Sequence, residues 1–234
     1  MTDHDLVARI DSARTLLAEA AHDHGQAVLA SSMGAEDMVL LDLIMRDRLP
    51  ISVFTLDTGC LPQETLNLIA RAQARYRITI DVYTPSAGDV EKFDSEHGSE
   101  GIYQSVDTRR ACCAVRKVEP LRRALAGKGS WITGLRSAQS PTRTDISEKN
   151  WDSDHGLYKF NPLAAWGKDN VWNYLRERDV PYNELHDKGY ASIGCAPCTR
   201  ALKPGEDERA GRWWWESVDT RECGLHNPSD ETTR

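Results

Sequence analysis

The stretch "AVLASSMGAEDMVLLDLIMRDR", residues 27–48, runs from an apolar tetrapeptide (27–30) through a small-residue loop, "SSMGAED", into a helical pattern over 37–48. Strand, tight loop and helix in this order make half of a β/α/β unit, and the order repeats downstream. "ISVFTL" (51–56) reads as a second strand. "DTGCLPQET" follows it and leads into a helix through Arg75, with Pro62 suited to the first turn. "ITIDVY" (78–83) reads as a third strand. Upstream, Leu6, Ile10, Leu17 and Ala21 recur at helical spacing in an amphipathic packing helix. Alternating strands and helices predict an α/β fold built on a parallel, Rossmann-like sheet flanked by helices. In such a sheet ligands bind at the carboxyl ends of the strands, where the loops 31–37 and 57–62 lie.

After Pro85 the pattern loosens until a helix carrying two adjacent cysteines, which Pro120 must break or restart. "SWITGL" (130–135) reads as a buried strand, "KDNVWNYLRERD" (168–179) as an amphipathic helix, and 181–198 as turn-rich. From Lys203 the chain is polar apart from "GRWWWE", which predicts an α/β domain over 1–202 and a flexible C-terminal arm over 203–234.

The whole chain, 234 residues with 40% hydrophobic and 28% charged, has the composition of one ordinary soluble α/β domain with a tail. No apolar run is long enough to span a bilayer, and "MTDHDLVARIDSARTLLAEA" lacks the plan of a secretory signal, so a cytoplasmic location is expected. A net charge of −7 argues against nucleic acid or anionic membranes as partners. Oligomeric state is not legible, and a homo-oligomer is compatible with the sequence.

Six cysteines in a reducing compartment point to ligands, nucleophiles or packing rather than disulfides. Cys112 and Cys113 stand side by side in "RRACCAVRK" (109–117), and Cys195 and Cys198 form the CxxC of "GCAPC". A two-residue gap serves zinc knuckles, iron–sulfur sites and thioredoxin-like dithiols alike. Adjacent residues diverge around a helix, which suits a cluster of several irons better than one tetrahedral ion. Zinc and a metal-free set of buried thiols stay open as alternatives. Arg110, Arg116 and Lys117 would offset the negative charge of a thiolate-ligated cluster. Cys60 reads as a half-buried packing residue. Cys223 sits in the polar "TRECGLH" with Arg221 before it and His226 after, a setting that lowers a thiol's pKa and makes it nucleophilic.

Taken in order, "SSMGAEDMVL", "LDTG", "RRACCAVRKVEPL", "TGLR", "GCAPCTR", "GRWWWE" and "ECGLH" resemble the assimilatory phosphosulfate reductases, and within them the cluster-containing, thioredoxin-using branch that acts on adenylyl sulfate (APS). The resemblance runs from about Ala27 to His226. The branch acting on the 3′-phosphorylated substrate (PAPS) typically lacks both cysteine pairs. The resemblance implies an adenine nucleotide alpha hydrolase-like fold and a 4Fe-4S cluster on Cys112, Cys113, Cys195 and Cys198. It implies a modified pyrophosphate-type loop at Ser31, Ser32 and Gly34, and adenosine contacts from Asp57, Thr58 and Gly59, where Asp57 could equally be a turn cap. Phosphosulfate would be held by Arg110, Arg136, Gln139 and Arg143, with Arg209 and Arg212 closing over it and Trp213, Trp214 and Trp215 anchoring the arm. Guanidinium groups suit that anion because their planar donors pair with its oxygens. Cys223 would attack sulfur, His226 would orient or help ionise it, Lys117 would couple cluster to substrate, and thioredoxin would release sulfite. The rival readings are a PAPS reductase with the same chemistry, a cluster-containing nucleotide-dependent sulfur transfer enzyme, and a cluster-based redox sensor.

Overall fold

The computed structural model describes residues 3–98, 100–139 and 146–221. Five parallel strands, β1 (Ala27–Ala30), β2 (Ser52–Leu56), β3 (Asp81–Tyr83), β4 (Ser130–Ile132) and β6 (Leu157–Phe160), with β5 (Lys149–Asp152) antiparallel to β6, form a sheet of order β3-β2-β1-β4-β6-β5. The chain winds outward from β1 through β2 to β3, then returns to place β4 on the other side of β1. The order therefore reverses between β1 and β4, and the loops leaving their carboxyl ends diverge to open a crevice.

Side chains alternate across the strands as the two-residue period requires. Leu29, Val53 and Ile132 face one layer, made with α1 (Asp3–His22), α2 (Ala35–Arg46), α3 (Gln63–Tyr76) and α7 (Lys168–Glu177). Val28, Phe54 and Trp131 face the other, made with α6 (Glu119–Leu125). A third, smaller cluster joins Phe93 of α4 (Ala87–His97) to Cys113 of α5 (Val106–Cys113), Cys195, Cys198 and Trp213. Among the described residues no helix is long and apolar enough to cross a membrane.

The expected strand over 78–83 begins only at Asp81. α3 ends with Arg77 in left-handed conformation (φ 54°), and the Ile78 and Ile80 N–H groups donate to the carbonyl and side chain of Gln73. The strand expected over 130–135 stops at Ile132, and the rest forms the loop at the crevice. α4 was not anticipated because Phe93 is its only buried residue, too little for a periodic signal. The β5–β6 hairpin escaped for a related reason. "KNWD" is a polar edge strand of four residues, and in "LYKF" the ammonium of Lys159 lies 4.6 Å over the ring of Trp131, so a charged residue occupies a sheet interior.

Between α5 and α6 the helix widens into a π turn, Ala114–Val118, and Pro120 sits in the first turn of α6, where its missing N–H costs nothing. The described part of the expected arm, 203–221, returns to the body. Thr199 bridges to Arg212, the Trp213 N–H donates to the Cys198 carbonyl, and Trp213 is 1% exposed.

Candidate active site

The crevice between the ends of β1 and β4 is a cleft of about 210 Å³. Its floor is the Ser31–Gly34 loop, held by its own side chains. The Ser31 hydroxyl accepts from the Met33 N–H at 3.1 Å, and the Ser32 N–H and hydroxyl both donate to Asp37 Oδ2, at 2.6 and 2.7 Å. Met33 takes φ +61°, a conformation that a non-glycine residue keeps only where its surroundings enforce it. Gly34 then caps α2, which directs its first N–H groups toward the cleft. Burial pushes the Asp37 carboxyl up to about 6; its Ser32 hydrogen bonds oppose the rise and the charge of Glu36 adds to it.

The opposite wall comes from Gly134, at which a β-carbon would lie 2.4 Å from Asp37 Oδ1. Gly134→Ala is therefore expected to cost about 1–3 kcal/mol of stability through overpacking, read as a lower urea midpoint at unchanged slope. Equal midpoints would mean that the two loops have room to part.

Beside the cleft lies a second cavity of about 70 Å³, lined by Cys112, Cys113, Cys195 and Cys198 together with Cys60. The π turn follows directly on the cysteine pair and turns Arg116 and Lys117 to the same cavity. Arg116 donates to the Thr58 carbonyl at 3.0 Å and pairs with Asp94 at 3.2 Å. Thr58 Oγ1 lies 3.2 Å from Cys195 Sγ and accepts from the Cys60 N–H, while the Ala196 N–H donates to the Cys60 carbonyl at 2.7 Å. These bonds lock the loop after β2 to the CxxC turn. Burial pushes the Cys198 thiol up to about 12, with Cys195 adding to the rise, and the Cys112 thiol up to about 11, with Cys113 adding. Cys195 shifts the other way. Burial opposes its ionisation, but Lys117, the Thr58 hydroxyl, Arg212 and Arg116 together hold its thiol below the ordinary value.

Among the described residues no three His, Cys, Asp or Glu side chains are placed to hold a single metal ion. Four thiols spread around one small, cation-flanked cavity instead suit a group wider than one ion, and these residues could hold an iron–sulfur cluster. Lys117 and Trp213 line both cavities, so one ammonium and one indole form the wall between them. Trp213 has φ +43°, a second strained backbone position at this site.

Arg212 is 6% exposed, with its guanidinium 4.6 Å over the Trp213 ring and pressed on Gly194, where a β-carbon would fall 2.2 Å from Nη2. Among the described residues no carboxylate pairs with it, and its Nε has no hydrogen-bond partner. A buried cation in this state is costly unless an anion completes it, and it lines the cleft.

A sequence profile described as the phosphoadenosine phosphosulfate reductase domain matches residues 26–201. The chain belongs to this family. It is 52% identical to a protein of Allochromatium vinosum named adenosine 5′-phosphosulfate reductase, over 94% of this chain and 86% of that one. It is 50% identical to a protein of the same name from Burkholderia cepacia, over 95% and 89%. Among solved structures it resembles the phosphoadenylyl-sulfate reductase of Candida auris in its phosphate complex, with a TM-score of 0.69 and 27% identity over 86% of this chain and 98% of that one. The FMN adenylyltransferase of Candida glabrata, at TM-score 0.57 and 16% identity over 97% and 78%, shares the fold alone.

On this reductase fold the cleft gathers Ser31, Ser32, Gly34, Thr58, Lys117, Gln139, Arg209 and Arg212. Others fall elsewhere. The Asp57 carboxylate accepts from the Gly59 N–H at 2.9 Å, a turn cap, and neither residue lines the cleft. Arg110 is exposed and lines neither cavity, whereas its neighbour Arg109 is fully buried against the thiol cavity. Arg136 is buried behind the cleft wall, where its Nε donates to Glu36 and its Nη2 to Glu208, both at 2.7 Å. Arg143, Cys223 and His226 lie outside the described residues. Sequence reasoning missed Glu36, Glu208 and His186, all on the cleft. His186 donates from Nδ1 to the Tyr190 carbonyl at 2.7 Å, and its Nε2 has no partner among the described residues. Glu36 and Glu208 are marked by their contact with Arg136, 100 and 72 residues away, which no local pattern reveals.

Proposed function

We propose that the chain reduces adenylyl sulfate to sulfite and AMP in sulfate assimilation, in the cytoplasm, with thioredoxin as reductant. The observation that carries this reading is the shared wall. A cleft at the sheet's switch point shares Lys117 and Trp213 with a cavity lined by both cysteine pairs and Cys60, in a chain about half identical to proteins named for this reaction.

In this reading the phosphosulfate lies against Lys117, Arg209 and Arg212, where the unpaired Arg212 guanidinium gains its anion. The Cys223 thiolate attacks sulfur, the bond to the bridging oxygen breaks, and AMP departs with its new charge stabilised by the same cations. Cys223 then carries an S-sulfonate. A thioredoxin thiolate attacks the Cys223 sulfur and expels sulfite, and the second thioredoxin thiol resolves the mixed disulfide, so the dithiol supplies the two electrons. Cys112, Cys113, Cys195 and Cys198 hold a 4Fe-4S cluster, whose contribution is electrostatic and structural. His226 assists ionisation of Cys223, and Gln139 and Arg143 complete the substrate contacts. With Trp213 and Glu216 fastened to the body, the chain that follows them acts as the arm that brings Cys223 to substrate and then to thioredoxin.

Anaerobic incubation with sulfur-labelled adenylyl sulfate, without thioredoxin, should leave label on the peptide containing Cys223, released as sulfite when thioredoxin is added. A protein that turns over without ever carrying label there would refute the covalent step. Lys117→Ala is expected to lower kcat/KM by about 10²-fold or more, as loss of one preorganised charge does, while visible absorbance and iron content stay unchanged. Full activity would remove Lys117 from the mechanism.

A further inference from the structure

The cleft carries charges of both signs. Lys117 and Arg212, which line the cleft, are cations whose fields reach both Cys195 and Cys198. Three carboxylates also line the cleft, Glu36 and Asp37 from the first turn of α2 and Glu208 from the segment that follows with Arg209 and Arg212, which line it as well. Asp37 is committed to Ser32. Glu36 and Glu208 each give Oε1 to the buried Arg136, which stands behind them and does not itself line the cleft. Their Oε2 atoms have no hydrogen-bond partner among the described residues, although both side chains are largely buried, at 15% and 20% exposure. Arg136 and the exposed Lys168 are the cations that reach Glu208. Burial pushes the Glu208 carboxyl up and Arg136 opposes the rise, and one guanidinium shared by two carboxylates leaves each with an Oε2 as a fixed acceptor at the cleft.

We infer that Glu36 and Glu208 are the specificity-determining residues of the cleft, accepting hydrogen bonds from the ribose hydroxyls of the nucleotide and rejecting a nucleotide phosphorylated at the 3′ position. This rests on the reading of the cleft as a site for an adenosine phosphosulfate. With the sulfated end drawn to Lys117 and Arg212, the ribose meets the carboxylates. A hydroxyl donates to a waiting carboxylate, as ribose does to the acidic residue of dinucleotide sites. A 3′-phosphate offers no such donor and adds roughly −1.5 to −2 charges beside two carboxylates that are already held in place. Arg136 makes the arrangement rigid. Its two ion pairs fix both carboxylates, so they cannot swing away to admit the extra charge.

The test is equilibrium binding of AMP and of adenosine 3′,5′-bisphosphate to the full chain as isolated, beside E36Q, E208Q and the double variant. Glutamine keeps an oxygen for Arg136 and removes the charge. The unsubstituted protein should bind AMP about tenfold or more tighter than the bisphosphate, and each substitution should narrow that ratio by about 5–10-fold. Equal affinities in the unsubstituted protein, or a ratio unmoved in the variants, overturns the assignment; if E36Q does not fold, E208Q decides alone. Sulfite release from adenylyl sulfate by the same preparations separates the two claims. Sulfite formed with an unmoved ratio sinks only the specificity residues. Discriminating binding without sulfite sinks the reductase reading and leaves the ribose contacts standing.

Discussion

With Cys223 replaced by Ser, sulfite release from adenylyl sulfate is expected to fall by about 10⁴-fold or more, because the thiolate proposed to attack sulfur then has no substitute. A serine hydroxyl stays protonated at neutral pH and cannot take its place. The described thiols that share the small cavity are Cys60, Cys112, Cys113, Cys195 and Cys198, so the substitution leaves every proposed cluster ligand intact. Iron and sulfide content and the visible spectrum should therefore match the unsubstituted protein, as should AMP affinity. Loss of the spectrum along with activity would mean that Cys223 contributes to the cluster. Sulfite formation at the original rate would show that the sulfur is never transferred to this residue. The same variant separates a reductase from a redox sensor, whose response would not depend on Cys223.

Arg109→Ala should destabilise the protein by about 3–5 kcal/mol, the usual result of leaving one half of a buried ion pair unpaired. The Arg109 side chain is 0% exposed and its partner Glu216 2%, with Nε–Oε1 at 2.8 Å and Nη2–Oε2 at 2.7 Å. Nη2 also donates to the Thr220 carbonyl, and the guanidinium lies 4.7 Å over the Trp213 ring. These contacts fasten the chain after Arg212 to the helix of the cysteine pair, and with it the indole that divides the two cavities. Chemical denaturation should show the loss as a lower midpoint, and AMP binding should weaken in parallel because Arg212 and Trp213 lose their support. Replacing both partners by apolar residues, R109M with E216L, should restore much of the stability, since no charge is then left buried. A single variant as stable as the original would show that water enters to solvate Glu216.

Most of the sheet was legible because β1, β2 and β4 are short apolar runs covered on both faces, while α3 and α7 carry a helical period because each buries one face and α2, buried nearly all round, is apolar over most of its length. α4 and the β5–β6 hairpin were not, since a helix with one buried residue and a polar edge strand bury too little to leave a period. The cysteine pairs were visible by spacing alone. The roles of arginines were not. Arg109, Arg110 and Arg136 look alike along the chain, yet the first is a buried tie to Glu216, the second is exposed, and the third braces Glu36 and Glu208 from behind the cleft.

The sequence alone determined the alternation of strands and helices, the loops at the carboxyl edge and the four paired thiols, because periodicity and spacing are local properties of a chain. Only the tertiary structure decided that the thiols face one cavity, that Lys117 and Trp213 stand between it and the cleft, and that the cleft is lined by both cations and carboxylates. Those facts depend on which distant segments meet. A charge is defined as ligand, brace or surface group by partners tens or hundreds of residues away, as Glu216 is for Arg109.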